Sequence, residues 1–322
     1  MKKFAIFTMV CLLATALFSA CGPDGVGGDS NWWARMELAT GIKSITEVSN
    51  DSEITYEYDK TGRLVRCLSK WYDETTTYDA DGLITKLVSK TLDENGAVSY
   101  THTTTFTYGS ANKDRFLPRN TMGNRIMHLD HVGLLPGLVK IESNDNGSIS
   151  TVEYSFKGDI LTAKGTGKEE WDNYEATCEY KGAYPNKADG EYEFMGPIDY
   201  YENGMFKSYT EGFKDDNGTV TTTRTTTYKN FDNKLNLMEK MVETYSDGGK
   251  STTTCTYDKY GNLTKELREY RPVDSNNNTT EYSDYTYEYD SKGAWTKMTV
   301  SNVASDGKVY YTSTVTRTIV YY

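Results

Sequence analysis

The 322-residue chain carries three histidines, His102, His128 and His131. In His128-Leu129-Asp130-His131 the spacing can put two imidazoles on one side of a turn, the beginning of a metal site. Neither a third ligand nor an orienting partner accompanies them, so packing within an irregular segment is the plainer reading. His102 falls on the apolar face of an alternating run and reads as a core histidine. No Gly-x-Ser-x-Gly elbow, phosphate-binding glycine loop or His-Glu-x-x-His motif is present. The acidic residues concentrate in turn sequences, where Asp shapes backbone geometry. A glycosidase acid and nucleophile among them would not be visible from spacing. These observations predict a non-catalytic chain without cofactor or resident metal.

Cys67, Cys178 and Cys255 lie in strand-like runs with no Cys-x-x-Cys spacing, which predicts small buried residues and neither a disulfide framework nor a zinc site. Tyrosine is the unusual residue, with 27 copies, most at alternating positions where core packing and cross-strand pairing explain them. Aromatic rings at a rim can also hold a sugar or a lipid. Trp71, Trp171, Tyr200, Tyr201 and Trp295 are the candidates for such a platform, each with a structural reading beside it. Trp32 and Trp33 are read as packing on the domain edge.

The elements that must position these groups are strands. The stretch Tyr257-Asp258-Lys259-Tyr260-Gly261 recurs in the same form from Tyr58, Tyr78 and Tyr289, each time followed by alternating residues that include Lys or Arg. In this pattern Tyr closes one strand, Asp bonds turn amides and Gly takes the positive φ of a tight reversal. Val98, Tyr100, His102, Thr104, Phe106 and Tyr108 alternate with a row of Thr, Ser and Ala. The last strand repeats this, with Val309, Tyr311, Val315, Ile319 and Tyr321 opposing Thr312, Thr314, Thr316 and Thr318. Period-two alternation of β-branched and aromatic residues predicts half-buried antiparallel strands. Further turn signals, such as Asp215-Asp216-Asn217-Gly218, predict hairpins following one another closely. The predicted fold is all-β, an antiparallel up-and-down meander of roughly sixteen strands, water-soluble and closed or nearly closed into a barrel about 30 Å across. A barrel of that size is too wide for its own side chains to fill. The irregular insertion 109–137, which is strongly apolar, is the candidate plug; a ligand or a collapsed sheet are the alternatives. A second irregular region is read from Gly182 to Gly204.

Lys2-Lys3, an apolar run from Phe4 to Phe18 and Ser19-Ala20-Cys21 have the form of a secretory signal. The ending resembles a bacterial lipoprotein signal, which implies that residues 1–21 are a signal with Cys21 as the lipidated residue. The chain would then be anchored to the outer membrane of the cell envelope, periplasmic or surface-exposed. Residues 22–42 read as a Gly-rich tether and edge segment, and 43–322 as one β domain. The net charge is −11 with Lys and Arg scattered, so there is no basic footprint for nucleic acid.

The Tyr-Asp-x-x-Gly-(Asn/Arg)-Leu pattern is similar to the YD repeat of Rhs-type shell proteins. Together with the signal and tether, the diluted repeats resemble an uncharacterised lipoprotein family of gut anaerobes, for which a porin-like meander is the expected fold. Three functions follow as expectations. One is a lipid-anchored binding protein for a lipid-like or glycan ligand. Another is a structural or protein–protein interaction module. The third is a transmembrane porin, against which stand the mid-strand tyrosines and Arg317 on the apolar face of the last strand.

Overall fold

The computed structural model describes residues 41–49, 52–110, 137–169, 172–182, 184–189, 193–200, 206–215, 217–232, 237–272 and 278–322. It contains 20 strands. The first third holds β1 (Ile42–Ser49), β2 (Ser52–Tyr58), β3 (Leu64–Ser69), β4 (Tyr72–Tyr78), β5 (Ile84–Leu92) and β6 (Val98–Tyr108). After the insertion come β7 (Leu138–Asp145), β8 (Ser148–Lys157), β9 (Ile160–Thr166), β10 (Tyr174–Lys181), β11 (Tyr184–Asp189), β12 (Glu193–Tyr200) and β13 (Phe206–Lys214). The remainder is β14 (Val220–Asp232), β15 (Leu237–Tyr245), β16 (Lys250–Tyr257), β17 (Leu263–Arg271), β18 (Thr279–Tyr289), β19 (Trp295–Val303) and β20 (Val309–Tyr321).

Each strand pairs antiparallel with the next, and β20 pairs back onto β1, with Ile319 opposite Ile45 and Arg317 opposite Glu47. The meander therefore closes into a ring without a free edge, which removes the aggregation hazard of unpaired strands. The expectation of roughly sixteen strands is corrected to twenty. Counting by Gly- and Asn-Gly turns misses reversals of other chemistry. At the β3–β4 turn no glycine is used, and the Trp71 and Tyr72 amides donate to the Ser69 hydroxyl. The region read as irregular from Gly182 to Gly204 contains β11 and β12, which are short, and β12 carries a bulge where Pro197 interrupts the ladder.

The ring has two ends. One carries the Tyr-Asp turns and both chain ends, the Tyr322 amide donating to the Gly41 carbonyl; it is called the near end. The far end carries the alternate set of turns, from Ser49–Ser52 to Ala304–Lys308. At the near end Asp59 accepts the Thr61 and Arg63 amides on one carboxylate oxygen, at 2.8 and 3.0 Å. Asp79, Asp258 and Asp290 do the same two and four residues on. Gly62 and Gly261 sit at φ 86° and 82°, and the register slips by one residue beside each, which is a glycine bulge closing the hairpin. Tyrosines then tie neighbouring hairpins together: the hydroxyls of Tyr78, Tyr108 and Tyr287 donate to the carbonyls of Leu64, Ile84 and Leu263. Those of Tyr289 and Tyr321 donate to the carboxylates of Asp258 and Asp290.

One face of the ring is buried, and a closed sheet with no layer outside it among the described residues buries only the face that looks inward. Tyr56, Leu138, Leu161, Leu263, Cys67 and Cys178 are fully buried there, in three clusters. The three cysteines are free thiols, and burial pushes the Cys178 thiol up to about 12. The outward rows are mostly polar: Thr286, Thr299 and Thr314 lie abreast, as do Glu288, Lys297 and Thr316, with scattered apolar residues such as Val48 and Val320 among them. Insertion 109–137 leaves and rejoins the sheet at one point, the Gly109 amide donating to the Gly137 carbonyl at 2.7 Å. The rest of that candidate plug, with His128 and His131, lies outside the described residues.

Candidate functional site

Register places a set of charged side chains on the inward face, mostly in its middle and far half. Glu47 on β1 and Arg317 on β20 are opposite one another, and the guanidinium donates to the carboxylate at 2.6 Å. Arg317 also lies over the Trp295 ring, 3.3 Å from its centroid. Next along the wall, Arg224 on β14 bonds Glu211 on β13 and reaches Glu243 on β15 at 3.1 Å. The flanking carboxylates hold that guanidinium charged, against burial, which alone would lower its pKa. Glu266 is buried and bonded to Arg268. His102 bonds the Thr104 hydroxyl at 3.1 Å, and burial lowers its pKa. Glu74 is buried without an ionic partner, and burial pushes its carboxyl up to about 7.

The far mouth adds aromatic rings. Phe213, Tyr270 and Tyr311 continue the inward rows of Glu211, Arg268 and Asn302, and they are 57%, 40% and 48% exposed. Tyr245 stands edge-on to Tyr270 with centroids 6.4 Å apart, and it faces Arg224. From β13 to β20 the mouth therefore presents open ring faces above carboxylates and guanidiniums. The inward apolar residues of the near half are already covered, Leu161 completely. Exposed rings beside paired ions can stack on a polyhydroxylated ligand and hydrogen-bond its hydroxyls.

The aromatic candidates read from the sequence do not converge. Trp71 is 51% exposed at the β3–β4 turn, with the Lys70 ammonium 4.7 Å from its centroid. Trp295 is only 8% exposed, roofed by Arg317 and packed on Tyr287. Tyr200 packs against the largest buried cluster. Trp171 and Tyr201 lie outside the described residues, as does Cys21. Among the described residues no group of three or more His, Cys, Asp or Glu side chains is placed to hold a metal ion. Apart from Arg317 and His102, which the sequence places on the apolar face, the inward ionisable groups were missed by sequence reasoning, although a parity signal existed: Glu74 alternates in step with Tyr72 and Tyr78, and Arg224 with Tyr228.

No family model matches the chain, and no curated protein matches it. Solved structures do. A porin-like protein from Bacteroides uniformis is similar over 87% of this chain and 98% of its own, at 16% identity and a TM-score of 0.37. A porin-like protein from Bacteroides vulgatus is similar over the same shares, at 11% identity and a TM-score of 0.28. The Photorhabdus luminescens Tc holotoxin pore is similar over 82% of this chain and 19% of its own, at 12% identity and a TM-score of 0.21.

Proposed function

We propose that the protein is a non-catalytic cell-envelope lipoprotein, anchored through lipid on Cys21, that binds a glycan at the far mouth of a water-exposed barrel. The observation that carries this reading is the contrast between the two faces. A membrane-spanning barrel needs an outward apolar band, whereas the outward rows here are threonine, lysine and glutamate. The porin reading is therefore disfavoured. Between the two ligand classes, the glycan is favoured over the lipid because the inward apolar surface is already covered, while the exposed rings Phe213, Tyr270 and Tyr311 stand beside ions. The anchor would leave from the near end, where Gly41 lies, and present the mouth away from the membrane.

The test is a glycan array probed with the full chain, followed by calorimetry on any hit. The reading predicts binding that falls at least tenfold in a Phe213→Ala/Tyr270→Ala double variant, with the melting temperature unchanged. Loss of all array binding, or a hit indifferent to both substitutions, would refute it. A second reading, a protein-interaction module, draws on Val309, Tyr310 and Tyr311, three consecutive exposed residues at the start of β20. Under it the same double variant has no effect on glycans, and Tyr310→Ser weakens partner binding.

A further inference from the structure

Two carboxylates are buried on the inward face, and they are treated differently. Glu266 meets Arg268, whereas Glu74, 7% exposed, has no hydrogen-bond or ion-pair partner among the described residues. The cations of the neighbouring strands are turned outward: Arg66 bonds Asp73 and lies near Glu57, and Lys90 is opposite Asp73. An uncompensated buried carboxylate is costly, and one that has no counter-charge among the described residues leaves room for an external one.

The surroundings form a polar row. Register sets Glu74 on β4 opposite Ser89 on β5, Ser89 opposite His102 on β6, and His102 opposite Asp145 on β7. This row separates two apolar clusters, one on β1–β4 with β20 and the other on β6–β14. It opens from buried Glu74 towards half-exposed Asp145, beside the Asn146-Gly147 turn of the far end. Among the described residues, the titratable groups facing Glu74 are Tyr72 on its own strand, Cys67 on β3 and His102 two strands away. The Cys67 thiol donates to the Tyr72 hydroxyl at 3.8 Å, and burial lowers the pKa of His102, so at neutral pH none supplies a positive charge.

We propose that the Glu74 end of the Glu74–Ser89–His102–Asp145 row is a binding subsite for a primary ammonium group, with Glu74 as its counter-ion and Ser89 as a further acceptor, and with Asp145, three strands away, acting only through its charge. The subsite is on β4–β7, away from the far-mouth rings of β13–β20, and does not depend on the glycan reading. Amino sugars, ethanolamine headgroups and polyamines all carry this group. Binding the ammonium ionises Glu74, so below neutral pH one proton leaves the protein for each ligand taken up.

The experiment is isothermal titration calorimetry of the full chain with glucosamine, ethanolamine and spermidine, and with N-acetylglucosamine as the uncharged control. At least one amine should bind at pH 7.5, and the one that binds tightest names the carrier. Affinity should fall about tenfold per pH unit below pH 7, with buffer-dependent heats showing proton release. Glu74→Gln, which keeps the shape and removes the charge, should weaken binding at least tenfold while melting no lower than the parent. Asp145→Asn should weaken it less. The proposal is overturned if no amine binds the folded protein at millimolar concentration, if Glu74→Gln binds equally well, or if the acetylated sugar binds as tightly as the amine.

Discussion

The two ends of the ring use the same turn and differ in what stands behind it. At the far end Asp93 and Asp215 accept the amides two and four residues on, as Asp59 and Asp258 do at the near end. What the far end lacks is the preceding tyrosine: Leu92 and Lys214 stand where the near end has Tyr58 and Tyr257. The turn alone therefore makes a hairpin. The tyrosine ties that hairpin to its neighbour and covers the inward apolar surface, which leaves one end sealed and the other open, with rings and ions on view.

This contrast can be pressed hardest at the seam where β20 meets β1. Arg317→Ala leaves the Glu47 carboxylate without its guanidinium and uncovers Trp295, and should cost about 3–5 kcal/mol in denaturant unfolding. Glu47→Gln in that background should recover part of the loss. At Glu74 the sign is reversed. Its folded pKa, about 7, lies above the 4.5 of a free carboxyl, so the native state holds the extra proton between those values and stability falls as pH rises through that window. Glu74→Gln should then stabilise the protein by about 3 kcal/mol at pH 8, with the gain fading as pH falls from 7 to 4.5. A flat difference across pH would show that Glu74 is solvated.

Turn variants separate the ends directly. Asp258→Ala removes the oxygen that accepts two amides and the partner of Tyr289, for about 2–3 kcal/mol, whereas Asp215→Ala removes only the oxygen that accepts two amides, for about 1–2 kcal/mol. Equal losses would mean that the tyrosine ties contribute nothing. Smallest of all, Phe213→Ser on the open rim should change stability by less than about 0.5 kcal/mol.

Much of this architecture is legible in the sequence because it rests on local signals. Tyr-Asp-x-x-Gly specifies a turn and a tie, and the alternation of Val315, Ile319 and Tyr321 with threonines specifies which face is covered. Strand number is less legible, since the Ser69–Tyr72 reversal carries no glycine signature and Pro185 and Pro197 make β11 and β12 read as irregular. The candidate site is less legible still. Trp295 reads as a free ring until Arg317, brought in from the next strand, is laid over it. Which strands touch is set by closure of the ring, and no local pattern announces that β20 returns to β1. Glu74 looks like one more charged strand residue until register puts it between Cys67 and Ser89.

The central claim is that the covered face looks inward and the threonine face meets water. Labelling with a water-soluble maleimide tests it most directly, using the full chain in native envelopes with Thr254→Cys and Thr314→Cys introduced singly. The account predicts rapid modification of both new thiols, while Cys67, Cys178 and Cys255 stay silent until the protein is denatured. Protection of Cys at 254 and 314 in the membrane, lifted by detergent, would place the outward face in lipid and contradict it.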